Sequence, residues 1–198
     1  MTTTTTILEA ITVPEGEGRA IPDAATREVI GHVPVHTVAD LEAAIAAARA
    51  AQPAWDALGH AEGSRILNGI PDDLEGNLEE LAQILSREQG KPLDGPNARF
   101  EVGACAAWTR NAADTVLEPE VVFEDGPARA EVHYDALGVV GAVGPWNWPM
   151  MITVWQIAPS LRMGNTVIAK PSSYTPLSVL PLAEIFHRHL PEGGLTVL

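Results

Sequence analysis

Two short stretches hold the residues whose types and spacing suit chemistry. The first is Gly144-Pro145-Trp146-Asn147-Trp148-Pro149, where two prolines fix the backbone around one amide side chain, Asn147. A rigidly held NH₂ group can stabilise an oxyanion developing on a reacting carbonyl. It can equally cap the helix that starts beside it, and local sequence leaves both roles open. The second stretch is Lys170-Pro171-Ser172-Ser173-Tyr174-Thr175-Pro176. Its ammonium and hydroxyls could bind a ribose or a phosphate, or Lys170 could be an ordinary surface lysine. The single cysteine, Cys105, lies between Ala104 and Ala106 in an apolar helical run and reads as a small core residue rather than a nucleophile. One cysteine also rules out an intrachain disulfide and a Cys-rich zinc site.

Both stretches follow segments that read as β-strands. Leu137–Val143 is nearly continuous apolar sequence with small glycines, the pattern of a strand buried on both faces. A helix follows Pro149 and ends near Gly164, Thr166-Val167-Ile168-Ala169 forms the next buried strand, and Thr175-Pro176 opens a helix that runs to about Leu190 with proline at its first position. Gly193-Gly194 then leads into Leu195-Thr196-Val197-Leu198. This β-α-β-α-β order is the unit of a doubly wound parallel sheet, an α/β fold whose ligands bind outside the carboxyl ends of the strands. Both chemical stretches sit at such ends.

The elements upstream must brace this unit. Residues 7–36 read as short strands and turns, with Glu28–Val35 rich in β-branched residues. Thr37 and Asp40 have capping-box spacing, and Val38, Leu41, Ile45, Ala48 and Trp55 keep a helical period, with Pro53 disturbing the last turn. Leu67, Ile70, Leu74, Leu78, Leu81 and Leu85 continue at helical spacing, but Gly63, Gly69, Pro71 and Gly76 interrupt them, which predicts a kinked or split helix. Gly90-Lys91-Pro92 is a stop signal. Asn97–Val116 is a further helix, with Phe100, Ala104, Trp108, Ala112 and Thr115 on one side. Glu118–Asp125 reads as a solvated loop or edge strand, and Glu131–Ala136 alternates like a half-exposed strand.

Composition excludes several classes. Twelve Lys and Arg face 26 Asp and Glu, a net charge of −14, so a nucleic-acid backbone or an anionic membrane surface would be repelled. The length of 198 residues and 46% hydrophobic content suit a globular domain rather than a disordered chain. Met1 and Thr2–Thr6 lack a basic n-region and a long apolar run, and Leu137–Met163 is broken by glycines, prolines and polar residues. The expectation is a cytoplasmic protein with neither nucleic acid nor membrane as partner.

The run GVVGAVGPWNWPMMITVWQIAPSLRMGNTVIAKPSSYTPLSVLPLAEIF resembles the aldehyde dehydrogenase superfamily almost residue for residue. Asp23-Ala24-Ala25-Thr26-Arg27-Glu28-Val29-Ile30 is similar to a worn form of that family's Asn-Pro-Ala-Thr-Gly-Glu turn. Ala48–Trp55 and Glu88-Gln89-Gly90-Lys91-Pro92 are family-like as well. The resemblance implies that Asn147 helps form the oxyanion hole over a thiohemiacetal, and that Pro145 and Trp146 line the nicotinamide end of the cofactor cleft. It implies further that Lys170 contacts the adenosine ribose with Ser172 and Ser173 beside it. The implied activity is NAD(P)⁺-dependent oxidation of an aldehyde to a carboxylic acid, in which a cysteine thiolate adds to the aldehyde and a glutamate activates water.

Several positions depart from the family pattern. Ser173 stands where NAD-preferring members carry a glutamate, so a carboxylate that would repel a 2′-phosphate is gone and NADP⁺ is expected to be tolerated beside NAD⁺. Gln156 stands where many members have lysine, and Pro71 and the neighbouring glycines stand where the family favours helix formers. The family's catalytic cysteine, general-base glutamate and second glycine-containing loop lie beyond residue 198. The expected organisation is therefore an N-terminal tail, 1–20, followed by an incomplete N-terminal portion of a Rossmann-like NAD(P)-binding domain, 21–198. The isolated chain is expected to be inactive, taking an aldehyde only when the missing half is supplied by a complementing chain, or assembling with copies of itself. The alternatives are a subunit of a split enzyme, a non-catalytic nucleotide-binding or interaction module, and a gene relic.

Overall fold

A computed structural model describes residues 12–198. The part of the 7–36 reading that falls on residues 7–11 lies outside them. Three strands form the sheet that matters for function: β5 (Val139–Val143), β6 (Thr166–Lys170) and β7 (Leu195–Val197), all parallel and in spatial order β5-β6-β7. Helix α6 (Pro149–Arg162) connects the first two strands and α7 (Val179–His187) the last two. Strand β6 is the central one. Its Val167 and Ala169 point into the main core with α6 and α7, while Ile168 packs on Ala44 and Ala48 of α1 (Val38–Asp56) on the opposite face. Helices thus cover both faces of β6, which makes this a doubly wound parallel sheet in part.

Helix α1 begins on the expected capping box, with Thr37 and Asp40 exchanging hydrogen bonds, and carries Pro53 in its last turn. Trp55 Nε1 donates to the Leu161 carbonyl at 2.9 Å and pins α1 to α6. The broken leucine series resolves into three helices: α2 (Gly59–Leu67), α3 (Ile70–Gly76) and α4 (Leu78–Gln89). Pro71 falls in the first turn of α3, where its missing N–H costs nothing. Gly90 ends α4 at φ +83°, and a Cβ there would crowd that of Ala24 at 3.0 Å. Helix α5 (Ala98–Asp114) packs against α3, α4 and α6.

Two antiparallel hairpins stand outside the sheet: β1 (Arg19–Pro22) with β2 (Val29–Val33), and β3 (Glu120–Asp125) with β4 (Ala128–Val132). The first docks through Ile21 and Val33 on Ile84 of α4 and on Leu177, at the carboxyl end of the sheet. The second is exposed along both strands.

Several expectations are corrected here. Strand β5 has only Ala142 buried, with Val143 66% and Leu137 87% exposed, because among the described residues it pairs with β6 alone, as an edge strand. The side-chain amide of Gln156 occupies both backbone groups of Val143 on that edge, Nε2 donating to the carbonyl and Oε1 accepting from the N–H, each at 3.1 Å. On α5 the core face is Val102, Cys105, Ala106, Thr109, Ala112 and Ala113, whereas Phe100 and Trp108 are exposed. Small side chains bring α5 close to α6, and the two aromatics pair edge to face with Trp148 and Trp155 at the rim. Val38 and Leu41 of α1 are exposed for a related reason: only its central and last turns reach the sheet. Helix α7 starts at Val179 and ends at His187 instead of spanning Pro176 to Leu190, since residues 175–178 form a turn whose Pro176 carbonyl accepts from Val179 and Leu180. Strand β4 stops at Val132 and is wholly exposed.

Candidate functional site

The carboxyl ends of β5 and β6 are held side by side. Val143 is in register with Lys170, and the Gly144 N–H donates to the Lys170 carbonyl at 3.0 Å, so the two chemical stretches leave the sheet as neighbours. Gly144 sits where any side chain would run into Thr153 Oγ1 of α6, which makes glycine a requirement of the strand-to-helix approach.

Asn147 is exposed, and its side chain forms no hydrogen bond with any described residue. The capping role is taken by another residue: the carboxylate of Glu101, fully buried on α5, accepts from the N–H groups of Met150 at 2.9 Å and Met151 at 3.1 Å. Its other oxygen pairs with Lys91 Nζ at 2.5 Å. Lys91 Nζ also donates to the Asn147 carbonyl at 3.0 Å and lies 3.9 Å from the centre of the Trp148 ring. Thus the backbone of Asn147 is fastened to a buried ion pair while its amide points free. The capping alternative for this residue is removed.

The second stretch is braced in a parallel way. Glu88, buried at the end of α4, accepts from Leu177 N at 2.5 Å and Ser178 N at 2.9 Å, ahead of α7. Burial pushes its carboxyl up to about 7, against the opposing pull of those two N–H bonds. The segment 88–91 therefore reaches both strand ends, Glu88 to one and Lys91 to the other.

Around these ends the structure forms two adjoining cavities. One, of about 210 Å³, is lined by Lys170, Ser172 and Ser173 together with Arg19 of β1 and His36. The other, of about 400 Å³, shares Arg19 and Ser173 and adds Trp146, Tyr174 and Arg27. Trp146 is 58% exposed and free to take a ring against it. Pro145 is half-buried in the turn and, like Asn147, lines neither cavity. Two buried oxygens of residues on the larger cavity, Gln89 Oε1 and Thr175 Oγ1, have no hydrogen-bond partner. Cys105 lines neither cavity; it is fully buried on α5, where desolvation and the nearby Glu101 raise its thiol well above the usual range.

The family model for the aldehyde dehydrogenase family matches residues 14–198, which takes in every element described above. The chain belongs to the aldehyde dehydrogenase family. It is 35% identical over 192 residues to the fluoroacetaldehyde dehydrogenase of Streptantibioticus cattleyicolor, covering 93% of this chain and 36% of that protein. Among solved structures it is similar to PnpE in complex with nicotinamide adenine dinucleotide, with a TM-score of 0.85 and 35% identity over 92% of this chain and 38% of that one. It is also similar to the glyceraldehyde-3-phosphate dehydrogenase GapN of Methanocaldococcus jannaschii complexed with NADP, with a TM-score of 0.86 and 28% identity over 93% of this chain and 41% of that one. The chain thus spans well under half the length of these relatives.

Measured against that family, the sequence reading located the two strand-end stretches but missed the residues that hold them. Glu88, Lys91 and Glu101 are the bracing groups; the Glu88–Pro92 run reads as family-like and its Gly90-Lys91-Pro92 as a helix stop, and neither reading gives Glu88 or Lys91 a partner. A signal was present at Glu101, which shares its helix face with the apolar positions Ala98, Val102 and Cys105, where a carboxylate is buried only with a partner.

Proposed function

We propose that this chain forms the dinucleotide-binding and oxyanion-stabilising part of an aldehyde dehydrogenase that oxidises an aldehyde to a carboxylic acid with NAD⁺ or NADP⁺. The observation that carries this reading is the free amide of Asn147, released from capping by Glu101 and fixed through its own carbonyl by Lys91. The groups present fit a dinucleotide. Lys170, Ser172 and Ser173 offer an ammonium and two hydroxyls to a ribose or phosphate. A dinucleotide held there by Lys170, Ser172 and Ser173 would supply the hydride acceptor. Asn147 donates its amide hydrogen to the oxyanion of the substrate, and Trp146 shields the adjoining ring from water. Cys105, buried and with its thiol pKa raised, does not serve as the nucleophile, so this reading assigns the thiolate and the general base to polypeptide outside the 198 residues.

The test is aldehyde-dependent reduction of NAD(P)⁺ by the chain alone and after mixing with the remaining portion of an aldehyde dehydrogenase. Turnover is expected only in the mixture, and Asn147→Ala should lower its kcat about 10²- to 10³-fold. Turnover by the chain alone would overturn the placement of the nucleophile, and an unchanged rate for the variant would overturn the role of Asn147.

A further inference from the structure

Half of the cations in this acidic chain are already committed. Of the twelve lysines and arginines, Arg65, Arg87, Lys91, Arg99, Arg110 and Arg129 stand in ion pairs with described carboxylates. Arg162 is buried against the Ala113 carbonyl. Of the remaining five, Arg19, Arg27 and Lys170 line the two cavities at the carboxyl end of the sheet, which leaves only Arg49 and Arg188 elsewhere. The smaller cavity contains Arg19, His36, Lys170 and the two serine hydroxyls, and no acidic side chain lines it. In a chain of net charge −14, a concavity with two cations in no ion pair and neither Asp nor Glu in its lining concentrates an anion; Glu88, the one carboxyl of the adjoining cavity, lies within electrostatic reach of Arg19 but outside this one.

We propose that Arg19 selects the cofactor, binding the 2′-phosphate of NADP⁺ across the cavity from Ser172, Ser173 and Lys170. This rests on the dinucleotide reading above. Arg19 reaches the cavity from a different part of the chain than the other three. It heads β1 and is paired in register with Val33, and the hairpin is anchored two residues on by Ile21 against Leu177. Its position is therefore fixed by a backbone ladder and a buried contact, while its guanidinium makes no hydrogen bond with a described residue. A guanidinium presents a planar fork of donors that matches two phosphate oxygens at once, which an ammonium cannot do. Lys170, which donates to its neighbouring Pro171 carbonyl at 3.2 Å, is left for the ribose that both dinucleotides share.

The test is calorimetric titration of the full chain with NADP⁺ and with NAD⁺, for the parent, Arg19→Ala and Arg49→Ala. Arg49 is exposed on α1, lines neither cavity and controls for the loss of one positive charge. The parent should bind NADP⁺ the more tightly. Arg19→Ala should weaken NADP⁺ about 10- to 100-fold, as expected for loss of charge-assisted hydrogen bonds, and leave NAD⁺ within about twofold. Arg49→Ala should leave both unchanged. If NAD⁺ binds and Arg19→Ala weakens both cofactors alike or neither, Arg19 is not the selector and the dinucleotide reading survives. If neither cofactor binds the parent, that reading and the role of Arg19 both fall.

Discussion

The first turn of α6 and the segment leading into α7 are each held by a glutamate that arrives from another helix, yet the two carboxylates live in different electrostatic surroundings. Glu101 shares its buried site with Lys91 at 2.5 Å, and that ammonium also grips the Asn147 carbonyl. Glu88 caps the segment before α7 through Leu177 and Ser178 without a cation in ion-pair range, feeling Arg19 only at longer reach. The loop assigned to the oxyanion is thus locked by a charge pair, whereas the loop assigned to the cofactor hangs on a carboxyl that titrates near neutrality. A helix N-terminus can be closed in either way, with a cation beside the carboxylate or without one.

Breaking the charge pair should have the largest effect. Glu101→Ala removes the acceptor of two backbone N–H groups and leaves the buried Lys91 without its counter-charge, and about 3–5 kcal/mol of stability should be lost in urea denaturation. Loss of less than about 1 kcal/mol would show that the two regions are not braced differently. The next test sharpens the contrast through pH. Because the folded carboxyl of Glu88 is raised to about 7, the folded state holds a proton that the unfolded chain releases above its ordinary range near 4.5. Its contribution is fully present below about 4.5 and is lost as pH rises through about 7, a decline of order 3 kcal/mol. Glu88→Gln should flatten that decline. Carboxyls held low by ion pairs, such as Glu79 at about 2 beside Arg99, lose their contribution only below this window. An unchanged pH profile in Glu88→Gln would remove the distinction between the two caps.

The contrast also explains what could be read before the fold was known. The Thr37–Asp40 cap was legible because both partners lie within one turn, and the split leucine helix because Gly69 and Pro71 act on their own backbone. The β-α-β-α-β order and the two strand-end stretches were legible for the same local reason. The caps of α6 and α7 were not, since Glu101 lies 49 residues from Met150 and Glu88 lies 89 from Leu177. Nor was the face of α5: Phe100 and Trp108 outweigh its alanines on any hydrophobicity scale, but close helix packing selects the small side chains. The exposed edge of β5 depended on which strands pair with it, a property of topology rather than of its own apolar run.

The most direct measurement of the central claim is the urea denaturation of Asn147→Ala. With Glu101 closing α6 and the amide of Asn147 making no hydrogen bond with a described residue, the variant should unfold within about 0.5 kcal/mol of the parent. A loss of about 1 kcal/mol or more, the usual cost of deleting a helix cap, would contradict the account and return Asn147 to a structural role.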